Sequence, residues 1–198
     1  MLRIDETSKT LVPPQADAFV ADVAPDESEL TALLTSSWDA FAGEMGQGSL
    51  RLCASHPADG VEMLAFDAED GRAVVVQLGG DDDAARLSHG LAAAATVAGW
   101  DAARLAEVHE ALSAAVPGDS PRIVLVAGGG FDEDAIATIE WLVRRHGLEI
   151  TCFSVNTFRF GSERLLSVRR EFPPRETGST DPHAAMAAMM GSAPPPGV

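Results

Sequence analysis

Lysine is almost missing from this chain: 198 residues contain one, Lys9, near the start. Chemistry that needs a lysine within the body of the fold is thereby excluded. Cysteine is scarce too. Cys53 and Cys152 stand far apart in apolar, strand-like contexts, a pattern of two buried thiols rather than a disulfide framework. Long hydrophobic runs are also absent. The longest nearly pure apolar run, residues 91–100, is about half of the roughly 20 residues that a membrane-spanning helix needs. Residues 1–12 lack the basic-then-apolar pattern of a signal peptide, so the expectation is a cytoplasmic protein with no membrane contact. Positive charge is the last deficit. With 14 Lys+Arg against 30 Asp+Glu, the net charge is −16 and the pI about 4.5, which disfavours general nucleic-acid or membrane-surface binding.

The deficit is uneven along the chain. Residues 1–120 hold 21 acids and 6 bases, residues 121–175 hold 7 and 8, and residues 176–198 add two acids to a Gly, Ser, Pro, Ala and Met-rich stretch. That stretch reads as a disordered tail. Its Met186, Met189 and Met190 are compatible with a short docking helix, but a loose terminus is the plainer reading. Residues 1–27, with Pro13-Pro14 and Pro25, read as an extended arm. One domain is expected over residues 28–175, and 46% apolar residues suffice to bury roughly two thirds of the unfolded surface.

Within that domain, Leu30, Leu33, Leu34, Trp38 and Phe41 fall on one face of a helix, with Asp26 or Ser28 as its cap and Gly43 to Gly48 closing it. A strand over 50–55 precedes a hairpin, 61–66 and 73–78, around a turn at 67–71. Asp81 to Asp83 start an Ala-rich helix reaching about Gly99. Residues 101–116 predict a second helix, with Leu105, Val108, Leu112 and Val116 inward. A strand over 122–127 leads through Gly128-Gly129-Gly130 into a helix over 132–146 that Gly147 ends, with Ile136, Ile139 and Val143 inward. Strands over 148–160 and 164–171 form a last hairpin. The order of elements predicts an α/β sandwich around a mixed central sheet flanked by helices.

Several of these segments together resemble the PD-(D/E)XK nuclease superfamily, specifically bacterial endonuclease-like proteins related to the NucS family. The likeness covers about residues 1–174. It rests on the opening Met1-Leu-Arg-Ile-Asp-Glu with Leu11-Val-Pro, the helix over 30–45, Glu62-Met-Leu-Ala-Phe-Asp67, Gly71-Arg-Ala-Val-Val-Val-Gln-Leu-Gly79, and Phe131-Asp-Glu-Asp. It continues through Trp141 to Leu148-Glu-Ile-Thr-Cys-Phe and ends with Arg164-Leu-Leu-Ser-Val and Pro173-Pro174. The resemblance implies a restriction-endonuclease-like sandwich. It also implies an Asp on the first hairpin strand and a Glu on the second to hold a divalent metal through carboxylate oxygens. A Lys two residues beyond the Glu orients the attacking water. By position these are Glu62, Gln77 and Gly79: a longer acid, a neutral amide and no side chain. Ala32 stands where the family tends to carry an acid in the first helix, and Ala92 to Ala95 occupy the place of a helical Gln and Lys.

Migration of the missing groups would have to use Arg86 as the cation and Asp81, Asp82 or Asp83 as carboxylates. Three acids at a helix start are also explained by capping and the helix dipole. The expectation is therefore a pseudoenzyme without catalytic residues, cofactor or metal, acting on a protein partner or on a second copy of itself. A non-cleaving nucleic-acid-binding subunit is the alternative, and an active nuclease with a rebuilt metal site is a third.

The remaining constellations carry less. The three glycines before Asp132, Glu133 and Asp134 resemble a phosphate-binding turn, but those acids repel an anion and a structural turn is the reading. Cys53 and His56 have a C-x-x-H spacing without the further ligands a zinc site needs. His89, His109 and His146 sit in ordinary helical places, and no nucleophile-elbow pattern supports a Ser-His-Asp triad. The last hairpin interleaves Arg159, Arg164, Arg169, Arg170 and Arg175 with Phe158, Phe160 and Phe172. This is a surface for nucleic acid or a partner, or an edge strand guarded by charge.

Overall fold

A computed structural model describes residues 3–5, 10–12, 19–23, 26–78, 82–160 and 163–174, with side chains from Val20 onward except those of Phe160 and Glu163. Strands β1 (Arg3–Asp5) and β2 (Thr10–Val12) form a small antiparallel pair. The main body is a mixed seven-stranded sheet of β3 (Phe19–Ala21), β4 (Leu50–Ala58), β5 (Val61–Asp67), β6 (Arg72–Gln77), β7 (Arg122–Gly128), β8 (Ile150–Phe160) and β9 (Glu163–Phe172). Strands β4, β5 and β6 are an antiparallel meander, β6, β7 and β8 are parallel, and β9 folds back antiparallel on β8. A strand has two hydrogen-bonding edges. Since β9 runs along β8 from Cys152 to Phe160, β7 and β3 share the other edge, β7 along Ile150 to Val155 and β3 along Phe158 to Phe160.

The middle of the sheet is apolar on both faces. Val74, Val75 and Val76 of β6 and Val124 to Ala127 of β7 are fully buried, so each face needs a covering layer. Helices α1 (Glu27–Ser36) and α2 (Trp38–Glu44) cover one face, where Leu30, Leu34, Trp38 and Phe41 pack on Met63, Val74, Val76, Val124 and Phe153. The opposite face is covered by α3 (Asp83–Ala98), α4 (Ala102–Val108), a 3-10 helix (Glu110–Ala114) and α5 (Glu133–His146). Three successive parallel strands joined by crossovers of one hand place both connections on one face. That leaves the other face for the helices preceding the meander.

Local signals set the element ends. Asp26 Oδ1 accepts the Glu29 N–H at 2.8 Å, Asp82 Oδ1 those of Ala84 and Ala85, Asp101 Oδ1 that of Arg104, and Asp132 Oδ1 that of Ala135. Gly147 closes α5 at φ 67°, the left-handed position that glycine adopts without penalty.

Three expectations need correction. The first helix is two helices broken at Ser37 (φ −136°). There Thr35 and Ser36 hydroxyls donate to the carbonyls of Thr31 and Leu33, while the Trp38 indole N–H reaches the Leu50 carbonyl at 2.9 Å. The expected helix over 101–116 also breaks, at His109 (φ −163°), whose Nδ1 accepts the Ala111 N–H at 3.1 Å. The chain beyond is a 3-10 turn and Val116 points outward, 59% exposed. Finally, Cys152 is buried but Cys53 only half-buried, because β4 is an edge strand of the described sheet with two register shifts.

A buried ion pair ties the meander to the parallel half. Asp67, at the end of β5, lies 3.1 Å from Arg122 at the start of β7, and Arg122 also donates to Gln47 at 2.9 Å. Burial opposes ionisation of Asp67, but the Ser49 hydroxyl, the Glu69 N–H and Arg122 outweigh it, so its pKa lies below the ordinary carboxylate value. Stability from this group is present above the unfolded-state pKa and lost as pH falls through the folded one. Asp67→Ala, which leaves the Arg122 guanidinium with only Gln47 and the more distant Asp70 at 3.9 Å, is expected to cost about 2 kcal/mol at pH 7. Urea melts at pH 7 and pH 3 check this: the deficit shrinks at the lower pH, and an equal deficit at both would sink the assignment.

Candidate functional site

Antiparallel pairing of Met63 with Val76 sets Glu62 of β5 opposite Gln77 of β6. Both fall on the sheet face covered by α3, since Met63 and Val76 belong to the opposite face. The structure therefore brings together the two positions that the sequence singled out, while Gly79 lies outside the described residues.

Both side chains reach the backbone of Leu78. Glu62 is half-buried, and its Oε2 accepts the Leu78 N–H at 2.7 Å, satisfying a donor just past the end of β6. Burial pushes the Glu62 pKa up; the Leu78 N–H, His56 and His89 pull it down without overcoming that effect, and Glu27 reinforces it. Gln77 is 1% exposed. Its Nε2 reaches the Leu78 carbonyl at 3.4 Å, and its Oε1 has no partner among the described residues. Gly90 of α3 is the reason for the seal: a Cβ there would lie 2.9 Å from Leu125 Cδ2, 3.2 Å from Ile123 Cγ2 and 3.8 Å from Gln77 Cβ. A side chain at position 90 would require the Leu125 and Ile123 methyl groups to shift, so glycine suits this close approach of α3 to β6 and β7.

The residues proposed to replace the missing groups point elsewhere. Arg86 is buried and pairs with Asp83, its guanidinium 5.3 Å from the Phe131 ring. Asp83 Oδ2 accepts the Asp132 N–H at 2.8 Å, linking the starts of α3 and α5. Asp82 caps α3, and Asp81 lies outside the described residues. The turn through Gly128 to Gly130 is likewise structural, with Gly129 and Gly130 at positive φ. Two N–H groups at the start of α5, those of Asp132 and Ala135, are taken by the Asp83 and Asp132 carboxylates, so an anion there would meet the chain's own acids.

The arginine hairpin divides. Cross-strand pairs place Arg159, Arg164 and Arg170 on the α1–α2 face with Phe153 and Val168, and Arg169 on the other with Ser154. Arg159 and Arg164 both contact Asp22 at 3.3 Å; Arg164 also pairs with Glu29 and donates to the Val23 carbonyl. The Val23 N–H and these guanidinium groups hold Asp22 below its usual pKa despite opposing desolvation. Arg169 pairs with Glu171 at 2.6 Å, whose Oε1 also accepts the Ser154 hydroxyl at 2.7 Å. Arg170 lies 5.5 Å from the Phe153 ring centre. Of the interleaved aromatics, Phe172 is in the core and Phe158 is half-buried. The Phe160 side chain, Arg175 and the tail over 176–198 are outside the described residues.

Cys53 and His56 do not converge. Cys53 packs with the α3–α4 cluster and burial raises its pKa to about 11, as it raises that of Cys152 to about 12. His56 is exposed at φ 53° in the irregular part of β4. Among the described residues no group of three His, Cys, Asp or Glu is arranged to hold a metal ion, and none of their helices is long and apolar enough to cross a membrane. A pocket between Ala73, Val97, Leu105 and Pro121 holds about 10 Å³, room for a single water.

Sequence reasoning missed the acids that engage the arginines, Asp22 and Glu29, and the Asp83 bridge to α5. Their only sequence signal was the acid surplus before residue 120. No family model matches the chain, and no curated protein or solved structure does.

Because burial raises the Glu62 pKa, its favourable contribution is present below the unfolded-state pKa and lost as pH rises through the folded one. Glu62→Gln, whose amide oxygen still accepts the Leu78 N–H, is expected to melt at or above the wild-type temperature at pH 7.5, with the gain disappearing near pH 4. A metal site at Glu62 would instead show as a melting-temperature rise with Mg²⁺ or Mn²⁺ that the substitution abolishes. Gln77→Glu buries a charge and is expected to lose roughly 2–4 kcal/mol at pH 8 and less at pH 5; an undiminished stability at pH 8 would show that the site is not sealed.

Proposed function

We propose that the chain is a catalytically inactive domain of the nuclease-like type, with a restriction-endonuclease-like sandwich, that works by binding a protein partner or a second copy of itself. The observation that carries this reading is Gln77. At the position where the resembled family needs a metal-binding carboxylate on the second hairpin strand, this chain has a neutral amide closed off from solvent beneath Gly90 of α3. A substrate phosphate and its metal have no access there. Glu62, the other hairpin position, is committed to the Leu78 N–H. The chain's single lysine, Lys9, precedes both strands.

The same reading disfavours the non-cleaving nucleic-acid-binding alternative. Arg159, Arg164 and Arg169 are paired with Asp22, Glu29 and Glu171, so phosphates would have to displace intramolecular carboxylates on a chain of net charge −16. A rebuilt metal site at Arg86 and the Asp82–Asp83 helix start is disfavoured because those groups engage each other and α5.

Fluorescence anisotropy with single-stranded, duplex and branched DNA and with RNA, at low salt with Mg²⁺ or Mn²⁺, tests the assignment when the same samples are run on a gel. The expected result is neither cleavage nor salt-sensitive binding. Cleavage overturns the inactive assignment. Binding that falls steeply with salt and vanishes when Arg159, Arg164, Arg169 and Arg170 are neutralised favours the nucleic-acid subunit instead.

A further inference from the structure

Helix α5 buries Ile139 against β7 and β8, with Ile136, Leu142 and Val143 half-buried on either side. At 100° per residue the side directly opposite Ile139 carries Asp134, Ala137, Trp141, Arg144 and Arg145, and all five are exposed. Trp141 is 54% exposed, the only exposed tryptophan among the described residues, and its ring packs edge-on against His146 with centroids 4.5 Å apart. The stripe is acidic at one end (Glu133, Asp134), small in the middle (Ala137, Thr138), aromatic at Trp141 and basic at the other end (Arg144, Arg145). Arg144 has an intrahelical partner in Glu140 at 2.5 Å, whereas Arg145 has no ion pair among the described residues.

That order complements itself when reversed. We propose that the outer stripe of α5 is a two-fold interface with a second copy of this chain, the two helices lying antiparallel. Set about a dyad level with Ile139, Trp141 of one protomer covers the partner's Ala137 and the partner's Thr138, whose small side chains leave room for an indole. Arg144 and Arg145 stand level with the partner's Asp134 and the partner's Glu133. The dyad repeats each contact, as a closed two-fold interface requires, and antiparallel packing sets the helix dipoles head to tail. Tryptophan and arginine are the residues that most often dominate binding energy at interfaces. One pair of helices about 21 Å long buries less than the ~1,600 Å² of a standard interface, so the dimer exchanges with monomer rather than being obligate. The charge of −16 on each chain opposes it at low ionic strength and is screened near 0.15 M salt. This inference rests on the self-association reading above and names its surface.

Sedimentation velocity of the full chain over a wide concentration range at about 0.15 M salt tests it. A monomer–dimer equilibrium is expected. Trp141→Ala weakens it by at least about tenfold. Arg144→Glu with Arg145→Glu gives a monomer, as does Glu133→Arg with Asp134→Arg, because each places like charges across the dyad. Mixing the two double variants restores a dimer containing one of each, since both sets of contacts are then complementary. Circular dichroism melts confirm that each variant folds. A wild-type chain that stays monomeric overturns the interface and self-association together, and leaves the protein-partner reading standing. A dimer indifferent to all three variants overturns only the α5 surface. Neither result bears on catalytic inactivity, which the nuclease assay tests separately.

Discussion

The burial of β6 and β7 on both faces is the constraint on which the rest depends. Val74, Val75 and Val76 with Val124 to Ala127 are the central segments of two adjacent strands, and neither segment has a polar side chain. Covering each Val or Leu stabilises the fold by roughly 2 kcal/mol, so neither face can be left to water. The crossover helices take one face and the two N-terminal helices the other. Gly90 follows from the same demand, since α3 must approach β7 closely enough to cover Ile123 and Leu125. The closure of Gln77 is a further consequence. The packing that completes the core also covers the end of β6.

Charge is arranged with similar economy. The chain has few cations, and several bind distant acids of its own: Arg122 to Asp67, Arg72 to Glu149, Arg159 and Arg164 to Asp22, and Arg164 to Glu29. These pairs join elements that touch only in the folded state, with Arg164 and Glu29 135 residues apart. A hairpin that reads as a basic surface is in fact the anchor for the segment preceding α1. The outer side of α5 differs: its Trp141 and Arg145 face solvent, toward the end of the helix opposite the acids of its first turn.

Much of the fold was legible from local pattern. The caps Asp26, Asp82, Asp101 and Asp132 act on donors within three residues, and the strand pairs of the meander follow the turns at 59–60 and 68–71. The errors were local competitions whose outcome depended on distant partners. Ser37 breaks a helix whose hydrophobic spacing continues smoothly, because the Trp38 indole takes the Leu50 carbonyl across the fold. His109 breaks another by capping the following turn, which leaves Val116 outside.

The sequence by itself determined the α/β alternation, the apolar strands, the single lysine and the identities of Glu62, Gln77 and Gly79, because these depend on residue identity and short-range spacing. Only the tertiary structure decided that Gln77 is closed off, that Glu62 accepts a backbone N–H, and that Arg159, Arg164 and Arg169 are paired with acids. Those outcomes depend on how packed elements meet, from the 16 residues between Glu62 and Leu78 to the 135 between Glu29 and Arg164, and sheet order and helix packing set that. The same holds for α5: its periodicity marks an inner and an outer side, but only packing shows that Trp141 lies on the side left bare among the described residues.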